Sequence, residues 1–158
     1  MSSVSIPEKD IKSLFSFSQL PLTINGKRIG YIPKPLKSVY EAIEKSKYIL
    51  DLKENWDDEG AIGYDFDVWR KAVLFISKLS TKIYKSYGQV IKTPKIYHGP
   101  KGSIDIYWEN ESFNLLINIP KVGLGTFYGD NYKNNKSEGV FDPSIINTNI
   151  FPFLIKFK

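Results

Sequence analysis

Three groups of residues in this chain could do chemistry. Asp57, Asp58 and Glu59 stand side by side, and carboxylate oxygens gathered on a divalent cation would activate water for a metal-assisted hydrolysis. Adjacent residues rarely converge on an ion without a spaced scaffold, however, and the Asp-x-Asp-x-Asp-Gly calcium spacing is absent. His98 is the single histidine, so a Ser-His-Asp triad would have to be built on it. No Gly-x-Ser-x-Gly elbow presents a nucleophile to it. The third group is basic. Lys71, Lys78, Lys82 and Lys85 are seven, four and three residues apart, which sets them on one face of a helix, and Lys92 and Lys95 follow. Such a stripe could track phosphates by counterion release, with exposed aromatic rings stacking on unpaired bases. Lysine is also a good helix former and, late in a helix, complements its dipole.

Two weaker patterns read as structure. Asp105 and Glu109 fall on one strand face with Tyr107 between them, as on the solvated side of a sheet. Asn25 to Gly30 holds two glycines and two cations but not the phosphate-loop pattern. Around the acidic triplet, the non-catalytic expectation is that Trp56 plugs the core, Gly60 takes a left-handed conformation, and the carboxylates are solvated beside a helix N-terminus. On this reading the chain is not an enzyme and uses no metal or other cofactor.

Composition bounds these readings. The 158 residues suit one domain, residues 1–158, with residues 1–20 as a loosely attached arm. Without cysteine, disulfides, thiolate metal sites and cysteine nucleophiles are excluded. No run of about 18 apolar residues is present and the first ten residues are polar, so the expectation is a cytoplasmic chain without a membrane partner. The net charge of +5 is unevenly placed: seven acids crowd residues 51–67, and none occurs from Val68 to Ile104.

The elements that must position these residues follow from pattern. Asn25-Gly26 between two β-prone runs predicts a hairpin. An apolar stripe predicts a first helix over 36–52. A stronger one predicts a second over 67–87, capped by Asp65 or Asp67 and ended by Gly88. Ile104, Ile106 and Trp108 alternate with polar or amphipathic residues, as do Phe113, Leu115, Ile117 and Ile119. They predict an antiparallel meander with one buried face. Residues 129–139 read as a polar loop. Residues 149–157 read as a final edge strand broken by Pro152, its segment Ile150 to Phe157 open to a partner strand. The sum is an α+β fold with two main helices on one face of a meander and a small N-terminal hairpin.

Several pieces together resemble a family of small bacterial and phage-associated proteins of unknown activity. They are the loop Asn55-Trp56-Asp57-Asp58-Glu59-Gly60-Ala61, the helix with Ala72, Pro94-Lys95-Ile96, and the strand Ile104 to Trp108 that ends in tryptophan. Trp56, Asp57, Gly60, Ala61 and Trp108 carry the resemblance. It implies a partner protein encoded by a neighbouring gene, such as a toxin or a defence effector. The leading expectation is therefore a non-enzymatic, antitoxin-like or defence-associated protein-binding factor. The alternatives are an RNA- or DNA-binding module using the lysines, and a hydrolase at the acidic loop.

Overall fold

The computed structural model describes residues 18–156. The expected arm, residues 1–20, lies almost wholly outside them. Strands β1 (Gln19–Ile24) and β2 (Lys27–Pro33) form the hairpin. Asn25 and Gly26 both have positive φ, 49° and 76°, as a two-residue turn matching strand twist requires.

Helix α1 spans Lys37–Lys45 and tightens into a 3-10 segment over Ser46–Asp51. The single helix expected over 36–52 is therefore two. The Ser46 hydroxyl donates to the Ile43 carbonyl at 2.6 Å, a local bond that competes with regular α geometry. Helix α2 (Phe66–Tyr87) has the expected ends. The Asp65 carboxylate accepts from the Val68 amide, and Gly88, in the left-handed region, returns its N–H to Tyr84 O. Trp69, Ala72, Val73, Ile76, Leu79 and Ile83 are buried along one stripe.

Strands β3 (Lys95–His98), β4 (Ile104–Glu109), β5 (Asn114–Ile119), β6 (Gly125–Asp130) and β7 (Lys136–Phe141) form a five-stranded antiparallel meander in sequence order. Ile104, Ile106, Ile117 and Ile119 turn inward, onto the face that α2 covers. The buried side chains from Leu22 to Ile155 join in one hydrophobic cluster. No helix among the described residues is long and apolar enough to cross a membrane.

Two expectations about the C-terminal third are corrected. The polar run 129–139 is not one loop. The Asn131 side chain gathers the amides of Lys133, Asn134 and Asn135 into a turn, and β7 then pairs with β6 along its whole length. Nor is 149–157 an edge strand. Thr148–Ile150 is a 3-10 turn and Phe151–Leu154 a short helix, α3. Pro152 sits in its first turn, where its missing N–H and fixed φ cost nothing. Ile150, Phe151, Phe153, Leu154 and Ile155 are all buried, so the segment is a plug and offers no edge.

Candidate functional site

The loop between Leu52 and Tyr64 builds itself from its own polar groups. The Tyr64 amide donates to Leu52 O and the Asn55 amide to Ala61 O, closing the loop. The Asn55 side-chain oxygen accepts from Gly60 N at 2.7 Å. Asp57 Oδ1 accepts from Glu59 N at 2.9 Å and Ala61 N at 3.0 Å. Glu54 accepts from Gly63 N at 3.0 Å. Asn55, Asp58 and Gly60 have positive φ, tolerable at residues that are glycine or carry a short side chain able to bond locally. Asp58 and Glu59 are exposed. No three His, Cys, Asp or Glu side chains among the described residues could hold a metal ion together.

The two backbone N–H groups aimed at Asp57 hold its carboxyl below the usual aspartate range. A carboxyl depressed in the folded state stabilises it above its unfolded value, about 4, and that contribution is lost as pH falls through the depressed value. Asp142 is lowered likewise by the hydroxyl and amide of Ser144. Melting temperature followed from neutral pH to about 2 is expected to fall less steeply on its acid limb in Asp57→Ala than in wild type. An unchanged limb would show that Asp57 has no such role.

Trp56 is not a core plug. It is 37% exposed, with its Nε1 donating to Ile62 O at 3.3 Å. The loop's own hydrogen bonds turn the indole outward, onto the end of β3. There it meets the His98 ring edge-on, with centroids 5.1 Å apart, and lies 6.4 Å from Tyr64. Tyr48 completes the box, sharing a 2.8 Å hydrogen bond with His98 Nδ1. Burial pushes the Tyr48 phenol up, and the His98 backbone works against that rise. Burial also raises Tyr64, aided by the negative Asp105 nearby, and its hydroxyl donates to the Gly99 carbonyl. Among the described residues no carboxylate hydrogen-bonds the imidazole, and its partner is Tyr48. Asp105 and Ser103 are instead bridged by the Asn118 amide. Sequence reading missed Tyr48 and Tyr64, which stand 50 and 34 residues from His98. The buried tryptophans are Trp69 and Trp108, the latter donating to Lys92 O at 2.7 Å.

Among the described residues, no helix covers the outer face of the meander. Opposed residues of neighbouring strands share a face, so the register aligns Lys95, Tyr107, Leu116, Tyr128 and Glu138 in one row, and Tyr97, Asp105, Asn118, Thr126 and Val140 in the next. Tyr97, Leu116 and Tyr128 are 42–43% exposed and Val140 65%. The Tyr97 and Tyr107 rings lie 5.7 Å apart.

The six lysines do not form one surface. Lys78, Lys82 and Lys85 are exposed along α2 and enter no ion pair among the described residues. Lys71 shares their helix face and reaches Lys121 O at 3.5 Å. Lys92 lies over the Phe113 ring. Lys95 lies over Tyr107 on the outer side of the sheet, opposite the face that α2 covers.

The fold and these surfaces define a class: an α+β protein whose helices cover one face of a meander and, among the described residues, leave the other face aromatic and exposed. Comparison with known protein families, curated proteins and solved structures finds no match to this chain.

Proposed function

We propose that this chain is a cytoplasmic, non-enzymatic binding protein, antitoxin-like or defence-associated, that engages a partner protein through the open face of its five-stranded sheet. The observation that carries the reading is the Tyr107–Leu116–Tyr128 row with Tyr97 and Val140 beside it, an aromatic and aliphatic surface that no other element among the described residues covers. Tyrosine is enriched at protein interfaces because it brings large contact area with few rotatable bonds and a polar tip. The resemblance of the Trp56 loop to small phage-associated proteins points the same way, towards a partner encoded nearby.

The test is co-purification with the product of a neighbouring gene from the native operon, for wild type and for a Leu116→Glu/Tyr128→Glu variant. Both positions are exposed, so the variant is expected to fold. Retention by wild type and loss of about a hundredfold or more in the variant are expected, since central interface residues each contribute ~2 kcal/mol or more. A wild-type chain that runs alone, or a variant that retains the partner fully, overturns the reading.

The lysines of α2 favour a second reading, as an RNA- or DNA-binding module, because Lys78, Lys82 and Lys85 are aligned, exposed and unpaired. Lys78→Glu/Lys82→Glu would then flatten the dependence of log affinity on log salt by about two units. An unchanged slope excludes the stripe.

A further inference from the structure

Strand β3 is an edge of the sheet, and the register shows which of its backbone groups are free. Gly99 N donates to Ser103 O at 2.7 Å, and Asn110 N to Phe113 O at 3.0 Å. In an antiparallel ladder, hydrogen-bonded and non-bonded pairs alternate. Both bonds set the same phase: Ile104, Ile106 and Trp108 bond to β5, so Asp105 and Tyr107 bond to Tyr97 and Lys95 of β3. Ile96 and His98 therefore turn their N–H and C=O groups away from the sheet. Among the described residues, the Ile96 backbone makes no hydrogen bond on that side.

This free edge borders a groove of about 490 Å³. Its far wall is one face of α1, formed by Ser38, Glu41, Ala42 and Lys45, spaced three, one and three residues apart as one helical face requires. Tyr48 and Lys95 also line it. The groove is positive on balance. Glu41 is paired with Lys37 at 3.9 Å, and among the described residues Lys45 and Lys95 enter no ion pair, Lys95 lying instead over the Tyr107 ring. The other edge, β7, differs: its outward positions carry Lys136 and Glu138, charges of the kind that discourage strand pairing, beside the exposed Val140.

We infer that this groove binds an extended acidic peptide segment, which adds to the sheet as a sixth strand beside β3. The Ile96 N–H and C=O and the His98 C=O supply main-chain hydrogen bonds. Alternate apolar side chains of the peptide enter the groove against Ala42, and its carboxylates reach Lys45 and Lys95. An edge strand beside a helix gives affinity through the backbone and specificity through alternate side-chain pockets. The groove shares Lys95 and Tyr97 with the near end of the open sheet face, but Leu116 and Tyr128 lie outside it, so substitutions there distinguish the two surfaces.

The probe is a fluorescein-labelled ten-residue peptide alternating valine and glutamate, titrated with the full chain by fluorescence anisotropy. Saturable binding is expected, with the largest amide chemical-shift change of the labelled protein at Ile96. Lys45→Glu/Lys95→Glu, both exposed positions, is expected to weaken it by about tenfold or more. The same peptide with N-methylated valines, which cannot complete the ladder, is expected not to bind. Absence of saturable binding up to about 1 mM, equal binding of the N-methylated peptide, or binding lost in Leu116→Glu/Tyr128→Glu but kept in the lysine variant would each overturn the inference.

Discussion

Truncating Trp69 to alanine is expected to lower the unfolding free energy by about 3–5 kcal/mol, the range for a fully buried large aromatic side chain. Trp69 is 1% exposed and stands one turn into α2, where the helix meets the 3-10 segment that follows α1. Its Nε1 donates to Ser46 Oγ at 2.9 Å, and that hydroxyl donates onward to Ile43 O. Removing the indole would open a cavity and leave the Ser46 oxygen short of a donor, two costs that add. Because domains of this size are stable by about 5–15 kcal/mol in all, the variant is expected to sit near its unfolding threshold. Trp69→Phe keeps most of the volume and loses the hydrogen bond, so about 1–2 kcal/mol is expected. Trp56→Ala removes an exposed indole and its edge-on contacts, for about 1 kcal/mol. Urea denaturation of the three variants gives the order, and a larger loss for Trp56→Ala than for Trp69→Ala would falsify the assignment of Trp69 as the peg between the helices.

The second large effect is at Gly129. This residue lies on β6 opposite Leu115 and Ser137, and a Cβ added there would come within 2.5–2.9 Å of three atoms of the Phe153 ring. Its φ is not in the left-handed region, so the requirement for glycine is one of space. Gly129→Ala is expected to cost about 1–3 kcal/mol by overpacking. The same change in a Phe153→Ala background is expected to cost almost nothing, since the ring it would strike is gone. The coupling read from that double-mutant cycle is therefore about 1–3 kcal/mol. Additive effects would mean that the C-terminal plug does not rest on β6 at this point.

These two positions show where sequence reading succeeds and where it stops. Asn25-Gly26, Asp65 and Gly88 announced a turn and two helix ends, because a positive φ or an orphan amide must be met by the residue at that point in the chain. The alternation of Ile104 to Trp108 announced a strand for the same local reason. Trp69 was legible as part of the apolar stripe of its helix, and it is buried. Trp56, in a loop with no period to read, was not: whether it enters the core depends on what lies across from it. The run Phe151 to Ile155 has the composition of a strand, yet Pro152 and the space above Gly129 make it a plug. The run Lys136 to Phe141 has almost no hydrophobic signature, and it is a strand because β6 offers an unpaired edge.

The candidate surfaces divide along the same line. The lysines of α2 were legible because helical spacing alone aligns them, and the Asp57 loop because its bonds stay within about ten residues. The box around His98, the open Tyr107–Leu116–Tyr128 row and the free amide of Ile96 were not. Residues tens of positions apart meet there only once strand register is set and α2 has taken the other side of the sheet. Turns, caps and periodicity belong to the sequence because they depend on near neighbours. Which face stays open and which edge stays unpaired belongs to the tertiary structure, because each is defined by what the rest of the chain has already covered.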